Sequence, residues 1–482
     1  MLYNYFQIYQ YVIKPFVKYN YKVSDIFIFS FSKMSDTRAF SIVVYGASGF
    51  TGKQVVKYIK QNKACTNLKW AIAGRSEVKL NKLKVDLELG DIPVLIADTS
   101  NEEALRTAFA QTNLVLNCTG PYRFLGEPVV KACIEAKSHY MDICGEPQFM
   151  ENMFLKYHDL ARAAKVLVLH ACAFDSVPAD LGFLFTIRQF NHVDDCNTVE
   201  SFLTVDTGSG GLLGAGHYTT YECAVHGMGD VGALRGIRTA VQEKYAPPKL
   251  CVKSNRMERA SAVAWDERVN NYIIPFMGAD ASVVRSTARA VAMRKAAAEG
   301  EDARKISSEG MFWPQYAAYA CIGDSIFSVA GAAVFGGMFS SLATFDYGRE
   351  ILLAHPEIFT AGVFSHEGPT QAQLDETKFS MRFLASGFEM DPETELMNNV
   401  LIQTSVSGPE PGYVATPIIF TVLALTLLEE FGQVNSKLEP CLPEGGVFTP
   451  GAAFFNSESV MEKLNDAGIM FKRDGYLLKE DR

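Results

Sequence analysis

The stretch "YGASGFTGKQVV", Tyr45 to Val56, decides how the rest of the chain is read. Gly46, Gly49 and Gly52 fall three residues apart. The run before them, "FSIVVY" (40–45), is apolar and β-branched, which suits a buried strand. The run after them, "FTGKQVVKYIKQN" (50–62), sets Val55, Val56 and Ile59 on one helical face. Strand, glycine turn and helix in that order are the context in which a glycine triplet cradles a phosphate. Gly46 allows the tight turn, Gly49 lets backbone approach a pyrophosphate, and Gly52 lets helix and strand pack closely. The helix N-terminus offers free N–H groups and a partial positive charge. Ser48 and Thr51 add hydroxyl donors, and Ala47 and Phe50 complete the loop.

Working outward, the same alternation repeats. Strands are expected at 69–74, 92–98, 113–118, 138–144 and 166–172. Helices are expected between them at 77–89, 101–111, 127–137 and 149–165. Six strands alternating with helices predict parallel strands joined by right-handed crossovers. The fold class is therefore α/β, an NAD(P)-binding Rossmann doubly wound parallel sheet, expected over residues 39–180. After Pro178 the rhythm changes. Residues 181–414 mix strands, a glycine-rich loop within 206–216 and an alanine-rich basic stretch, and read as a second, α+β domain for substrate or oligomerisation. "ATPIIFTVLALTLLEEF" (415–431) is a helix with proline in its first turn. Residues 415–482 are expected to pack back on the first domain. Residues 1–38 are aromatic and lysine-rich, lack a signal-peptide cleavage site, and read as an extension outside the fold, from an upstream start codon.

The second strand selects the cofactor. A site for NAD needs an acid near the end of that strand, to hold the ribose 2′-OH. Here the strand ends "AGRS", and Arg75 stands where the acid would be. A guanidinium there favours a 2′-phosphate, hence NADP(H). Carboxyl ends of strands line the ligand crevice in such sheets. The fourth ends "NCTGPYRFLGEP" (117–128), bringing Asn117, Thr119, Gly120, Pro121 and Tyr122 toward the nicotinamide ribose. The fifth brings Asp142, Cys144 and Glu146, and the sixth Asp175, Ser176 and Asp180. Each acid also suits a helix cap or a turn.

Composition excludes several classes. The chain has 482 residues, 48% of them hydrophobic, with net charge -9, which argues against a nucleic-acid binder. Ten cysteines show no C-x-x-C pair, and with only eight histidines no zinc or other metal site is expected. Residues 325–345 carry no charge between Asp324 and Asp346. That length suits a transmembrane helix, an interfacial or lipid-droplet hairpin, or a buried apolar segment.

"GASGFTG", "AGR", "NCTGPY", "DICGE" and "FDSVPAD" together resemble the saccharopine dehydrogenase-like oxidoreductase family. In the second half, "IPFMGADASVVRST" (274–287), "GPEPGYVATP" (408–417) and "GGVFTPGAAF" (445–454) agree. The blocks occur in family order across nearly the whole chain. The resemblance implies an NADP-type Rossmann domain followed by a substrate domain. It also implies intracellular sites at lipid droplets, mitochondria or other membranes, and, through similar trans-acting enoyl reductases, a place in lipid or glycolipid metabolism.

The expected activity is hydride transfer between NADP(H) and a lipid-linked C=C or C=O. The protein's own part is to orient the reactants and supply a proton. Tyr122, Tyr218 and His217 are the candidate acids, with Cys144 a lesser one. Saccharopine itself would need basic residues converging on the pocket, and the blocks offer only Arg123 and Arg285. The alternative is a non-catalytic lipid-surface protein that retains the cofactor fold. Expected partners are a hydrophobic small molecule, a lipid-droplet or membrane surface through 325–345, and a second copy of the chain.

Overall fold

The computed structural model describes residues 38–479 apart from 175, 212–213, 215, 230, 254–255, 299 and 391–396. Asp175 and residues 1–37 of the expected N-terminal extension lie outside the described residues; Arg38 belongs to the fold instead, since its guanidinium donates to Ser138 Oγ (2.6 Å) and to the Ala136 carbonyl (2.9 Å).

Six strands form where the alternation predicts them: β1 (Phe40–Tyr45), β2 (Trp70–Gly74), β3 (Val94–Ile96), β4 (Thr112–Asn117), β5 (His139–Asp142) and β6 (Leu167–Leu169). They pair in parallel in the order β6-β5-β4-β1-β2-β3. The sheet is a Rossmann-type α/β layer; its inner strands are buried on both faces, as parallel strands between helices must be, while the edge strand β3 is partly exposed. A seventh strand, Gly446–Phe448, pairs in parallel with β6 and closes that edge.

One helix begins earlier than its sequence suggests. The helix after β4 runs Tyr122–Ala136, with Pro128 inside it, rather than from Glu127. The carboxylate of Glu146, from the far side of β5, accepts the N–H groups of Tyr122 (2.8 Å) and Arg123 (3.4 Å). A cap supplied from 24 residues away leaves no local signal at Tyr122.

The second sheet is mixed, seven-stranded, and ordered Ala264–Asp266, Asn271–Pro275, Gln315–Cys321, Cys196–Asp206, Lys378–Met390, Met397–Pro409, Met470–Lys479. Only Gln315–Cys321 and Cys196–Asp206 pair in parallel. The helix Ser176–Ile187 leads out of the first sheet and packs, buried on nearly every side, against this one. Both sheets belong to one compact unit that starts at Thr37.

The C-terminal portion serves both sheets. Thr416–Glu430 packs on the helix Phe50–Gln61 and on β4. Gly446–Phe448 joins the first sheet, whereas Met470–Lys479 becomes an edge of the second. The tail therefore does not pack on the first domain alone, because its last strand finds its ladder on Met397–Pro409.

The two apolar stretches take different places. Pro411–Glu430 is long and apolar enough to cross a membrane, but 78% of its most apolar window is buried, so it is a core helix. Residues Ile326–Ala343 form a surface helix. Phe339 and Ala343 are buried against Tyr221 and Leu352, while Ile326, Val334, Phe335 and Met338 are exposed.

Candidate functional site

A cleft of about 950 Å³ opens at the carboxyl ends of β1, β2 and β4, closed on its other side by helices and loops of the second domain. Its first wall is the glycine loop. Gly46 has φ +78°, and a Cβ there would lie 2.7 Å from Thr119 Cγ2. A Cβ on Gly52 would lie 2.3 Å from the Gly46 carbonyl oxygen, and one on Gly49 3.2 Å from the same atom. The turn is thus closed to side chains at Gly46 and Gly52. The helix Phe50–Gln61 starts at Gly49 with no side-chain cap, so its first N–H groups face the cleft unspent. Ser48, Gly49, Phe50 and Thr51 line it, while Ala47 is buried behind. A pyrophosphate fits this cradle.

At the end of β2, Arg75, Ser76 and Lys79 line the cleft together. Arg75 is exposed and has no hydrogen-bond partner among the described residues. Two cations and a hydroxyl, with no acid on that strand end, suit a 2′-phosphate. Ser76 caps the next helix by accepting the Lys79 N–H, which brings Lys79 to this rim. The spacing R-S-x-x-K carries that signal in the sequence.

The end of β4 splits the residues expected there. Thr119 and Gly120 line the cleft. Asn117 is buried behind them: its Oδ1 accepts from Thr119 N (3.0 Å) and Oγ1 (2.6 Å), and its Nδ2 donates to the Tyr140 hydroxyl (3.0 Å). Asn117 therefore orients Thr119, and Pro121 leads into the helix at Tyr122. The Tyr122 ring borders the cleft, but its hydroxyl donates to the Asn117 carbonyl (2.9 Å), and burial pushes its pKa well up.

The acids at the next strand ends are buried. Asp142 accepts from Tyr140 OH, Cys144 N and Ala171 N, and lies 2.6 Å from His170 Nδ1. Glu146 forms a buried ion pair with Arg123, 2.8 Å apart. Asp180 faces away from the cleft, accepting from Thr287 (2.8 Å) and Gly451 N (2.7 Å). Cys144 is buried, and its thiol is pushed well up by burial.

The second wall belongs to the second domain. His217 stacks on Phe50 of the glycine loop (4.5 Å, 19°), and Tyr413 meets the same ring edge-on (4.8 Å, 83°). The His217 N–H donates to the Tyr413 hydroxyl (2.8 Å), and the Thr219 N–H to His217 Nδ1 (3.3 Å). Burial lowers the His217 pKa. Tyr218 does not line the cleft; it stacks on His366 (4.2 Å). Tyr413, Glu410, Thr219, Thr220 and Cys223 line the wall without having been singled out from sequence. The block "GPEPGYVATP" held two of them in view. Glu410 accepts the N–H groups of Gly412, Tyr413 and Val414, and so sets the turn that presents Tyr413. Met277, Phe339, Val363 and Phe364 give the wall an apolar part.

A family profile described as the saccharopine dehydrogenase NADP binding domain matches residues 42–169. A mouse protein named saccharopine dehydrogenase-like oxidoreductase is 41% identical over 91% of this chain and 98% of its own length. A Caenorhabditis elegans protein named lipid droplet localized protein is 31% identical over 90% of this chain and 98% of its own. A Mycobacterium tuberculosis protein, provisionally named a trans-acting enoyl reductase, is 25% identical over 90% and 97%.

Proposed function

The chain belongs to the saccharopine dehydrogenase-like oxidoreductases and carries their NADP-binding domain; from that premise we propose that it reduces or oxidises a lipid-linked C=C or C=O. The observation that carries this reading is the apolar part of the second wall, Met277, Phe339, Val363 and Phe364. Phe339 lines the cleft and belongs to the same uncharged surface helix that exposes Ile326, Val334, Phe335 and Met338. One helix thus contributes to the cleft lining through Phe339 and presents an apolar face outside. The same helix is the part proposed to meet a lipid-droplet or membrane surface. The names of the worm and mycobacterial relatives lend support to a lipid substrate.

NADP(H), when bound, supplies the hydride chemistry. The glycine loop holds the pyrophosphate, and Arg75, Ser76 and Lys79 hold the 2′-phosphate. The Phe50 ring, clamped by His217 and Tyr413, ties that loop to the substrate wall. His217 is the best placed of the three candidate acids: its ring lines the cleft, with Nδ1 accepting from the Thr219 N–H and a further hydrogen bond to the His366 backbone. Tyr122 and Tyr218 are less well placed, the first spent on Asn117 and the second stacked outside the lining.

The test is NADPH consumption by the full chain with 2-enoyl- and 3-ketoacyl-lipids, beside saccharopine with NADP+ as a competing substrate. Turnover of an acyl-lipid, lowered about a hundredfold in His217→Asn, is expected. Turnover of saccharopine alone would overturn the lipid reading. NADPH binding without turnover of any substrate would favour the non-catalytic alternative.

A further inference from the structure

Beside the cleft lies a small annex of about 30 Å³, which shares Pro147 and Ser282 with it. It sits between the helices Pro147–Ala164 and Asp280–Ala297, at the ends of β6 and of Gly446–Phe448. One side is apolar, with Met150, Phe154 and Phe448. The polar lining is Glu151, His170, Ser282, Ser286, Arg289 and Thr449.

Two buried atoms of this lining have no partner among the described residues. His170 is 1% exposed; its Nδ1 is held by Asp142, and its Nε2 is unbonded. The Nε of Arg289 is likewise unbonded, with the guanidinium lying over the Phe154 ring at 4.6 Å. A buried donor and a buried acceptor left open at one cavity are costly unless something completes them.

The local charge is positive. Arg238 grips Glu151 with bonds of 2.7 and 3.0 Å and also donates to Ser282 (3.1 Å). Arg289 approaches the same carboxylate only at 3.7 Å. Arg285, one turn back on the helix, has no hydrogen bond or ion pair among the described residues, and the charges acting on it are Arg238, Glu151 and Arg259. Three guanidinium groups therefore share one carboxylate. Asp142 and Asp180 stand nearby but are engaged, the first by His170, Tyr140 and two backbone N–H groups, the second by Thr287 and Gly451.

We propose that the annex binds an oxyanion, the carboxylate or phosphate that heads the molecule whose chain lies in the cleft. Arg289 and Ser286 donate to its oxygens, and His170 Nε2, an acceptor because Nδ1 is held by Asp142, takes a hydrogen bond where one of those oxygens carries a proton, as in a phosphate monoanion. That the oxyanion heads a lipid rests on the reading above; the oxyanion site itself does not.

The experiment uses the full chain saturated with NADPH, so that the cofactor's own phosphate sites are filled. Binding of decanoate, decyl phosphate, decanol and inorganic phosphate is followed by calorimetry. Decanoate or decyl phosphate is expected to bind at least about tenfold tighter than decanol, and whichever does so identifies the head group. Arg289→Met replaces the guanidinium over Phe154 with an uncharged thioether and should bring the ratio to about one, while Arg289→Lys restores part of it. Ser286→Ala gives a milder loss, and unchanged NADPH affinity shows that each variant is folded. Equal binding of decanol and the two anions, or a preference that survives Arg289→Met, overturns the proposal. Arg289-dependent binding of inorganic phosphate without binding of any ten-carbon chain upholds the oxyanion site and removes the lipid from it.

Discussion

The two walls of the cleft are built in different ways. The cofactor wall is made of three strand ends from one continuous domain, residues 45–52, 74–79 and 118–120. The substrate wall is assembled from separated pieces: His217 to Cys223, Met277 to Ser282, Phe339, Val363–Phe364 and Glu410 to Thr416. On the first wall, local chain geometry fixes each residue's job. On the second, each job depends on which distant segment arrives beside it. The first wall should thus fail through its own backbone, and the second through what fills the space between.

Gly52→Ala should show the largest effect. The new Cβ would lie 2.3 Å from the Gly46 carbonyl oxygen, and both atoms are held by backbone. No rotamer relieves that contact, so the loop must open. A loss of about 4 kcal/mol and of all measurable NADPH binding is expected, read by urea unfolding and cofactor fluorescence. A variant that folds and binds normally would show that the loop is not the rigid half of the comparison.

Asp180 tests the joint between the walls. It lies on the helix Ser176–Ile187 and accepts from Thr287 and from Gly451, which come from different parts of the chain. Burial raises its pKa to about 6, against about 3.9 in an unfolded chain. Between those values the folded protein keeps a proton that the unfolded chain has lost. Stability from this group therefore falls as pH rises from about 4 to about 6, and stays low above. Asp180→Asn has no such slope. Its stability relative to the parent should rise by about 2 kcal/mol between pH 4 and pH 7, in unfolding midpoints at each pH. A flat difference would mean that the carboxylate is already ionised and well solvated.

The same contrast explains what the sequence made legible. Strand order, the glycine loop and the cation at Arg75 follow from neighbours a few residues apart, and periodicity carries them. The start of the helix at Tyr122 did not, because its cap comes from Glu146. The strand Gly446–Phe448 is three residues long, and its partner β6 is far away in sequence. His217 and Tyr218 are adjacent in sequence, yet only the first lines the cleft, since stacking on Phe50 or on His366 separates them. Two stretches of similar apolarity, Thr416–Glu430 and Ile326–Ala343, end one in the core and one at the surface. Composition set their helicity and left their neighbours unspecified. The arginines around Glu151 come from two helices, and no single motif announces them.

Gly145 gives the smallest expected effect and the sharpest contrast with Gly52. It stands in the block "DICGE", lines the cleft and is exposed. A Cβ built on it meets no atom within 4 Å, and its φ lies outside the left-handed region. Neither packing nor backbone strain requires glycine there. Gly145→Ala should change stability by no more than about 0.5 kcal/mol. The bulkier Gly145→Leu should fold equally well but weaken binding of a molecule in the cleft, because its side chain enters space that the chain leaves open. If Gly145→Ala unfolds the protein, the chain itself requires that glycine, and the division between a wall set by backbone and a wall set by its occupant fails at this residue. If Gly145→Leu binds cofactor and acyl-lipid at parental affinity, the open space beside it is not where either one lies.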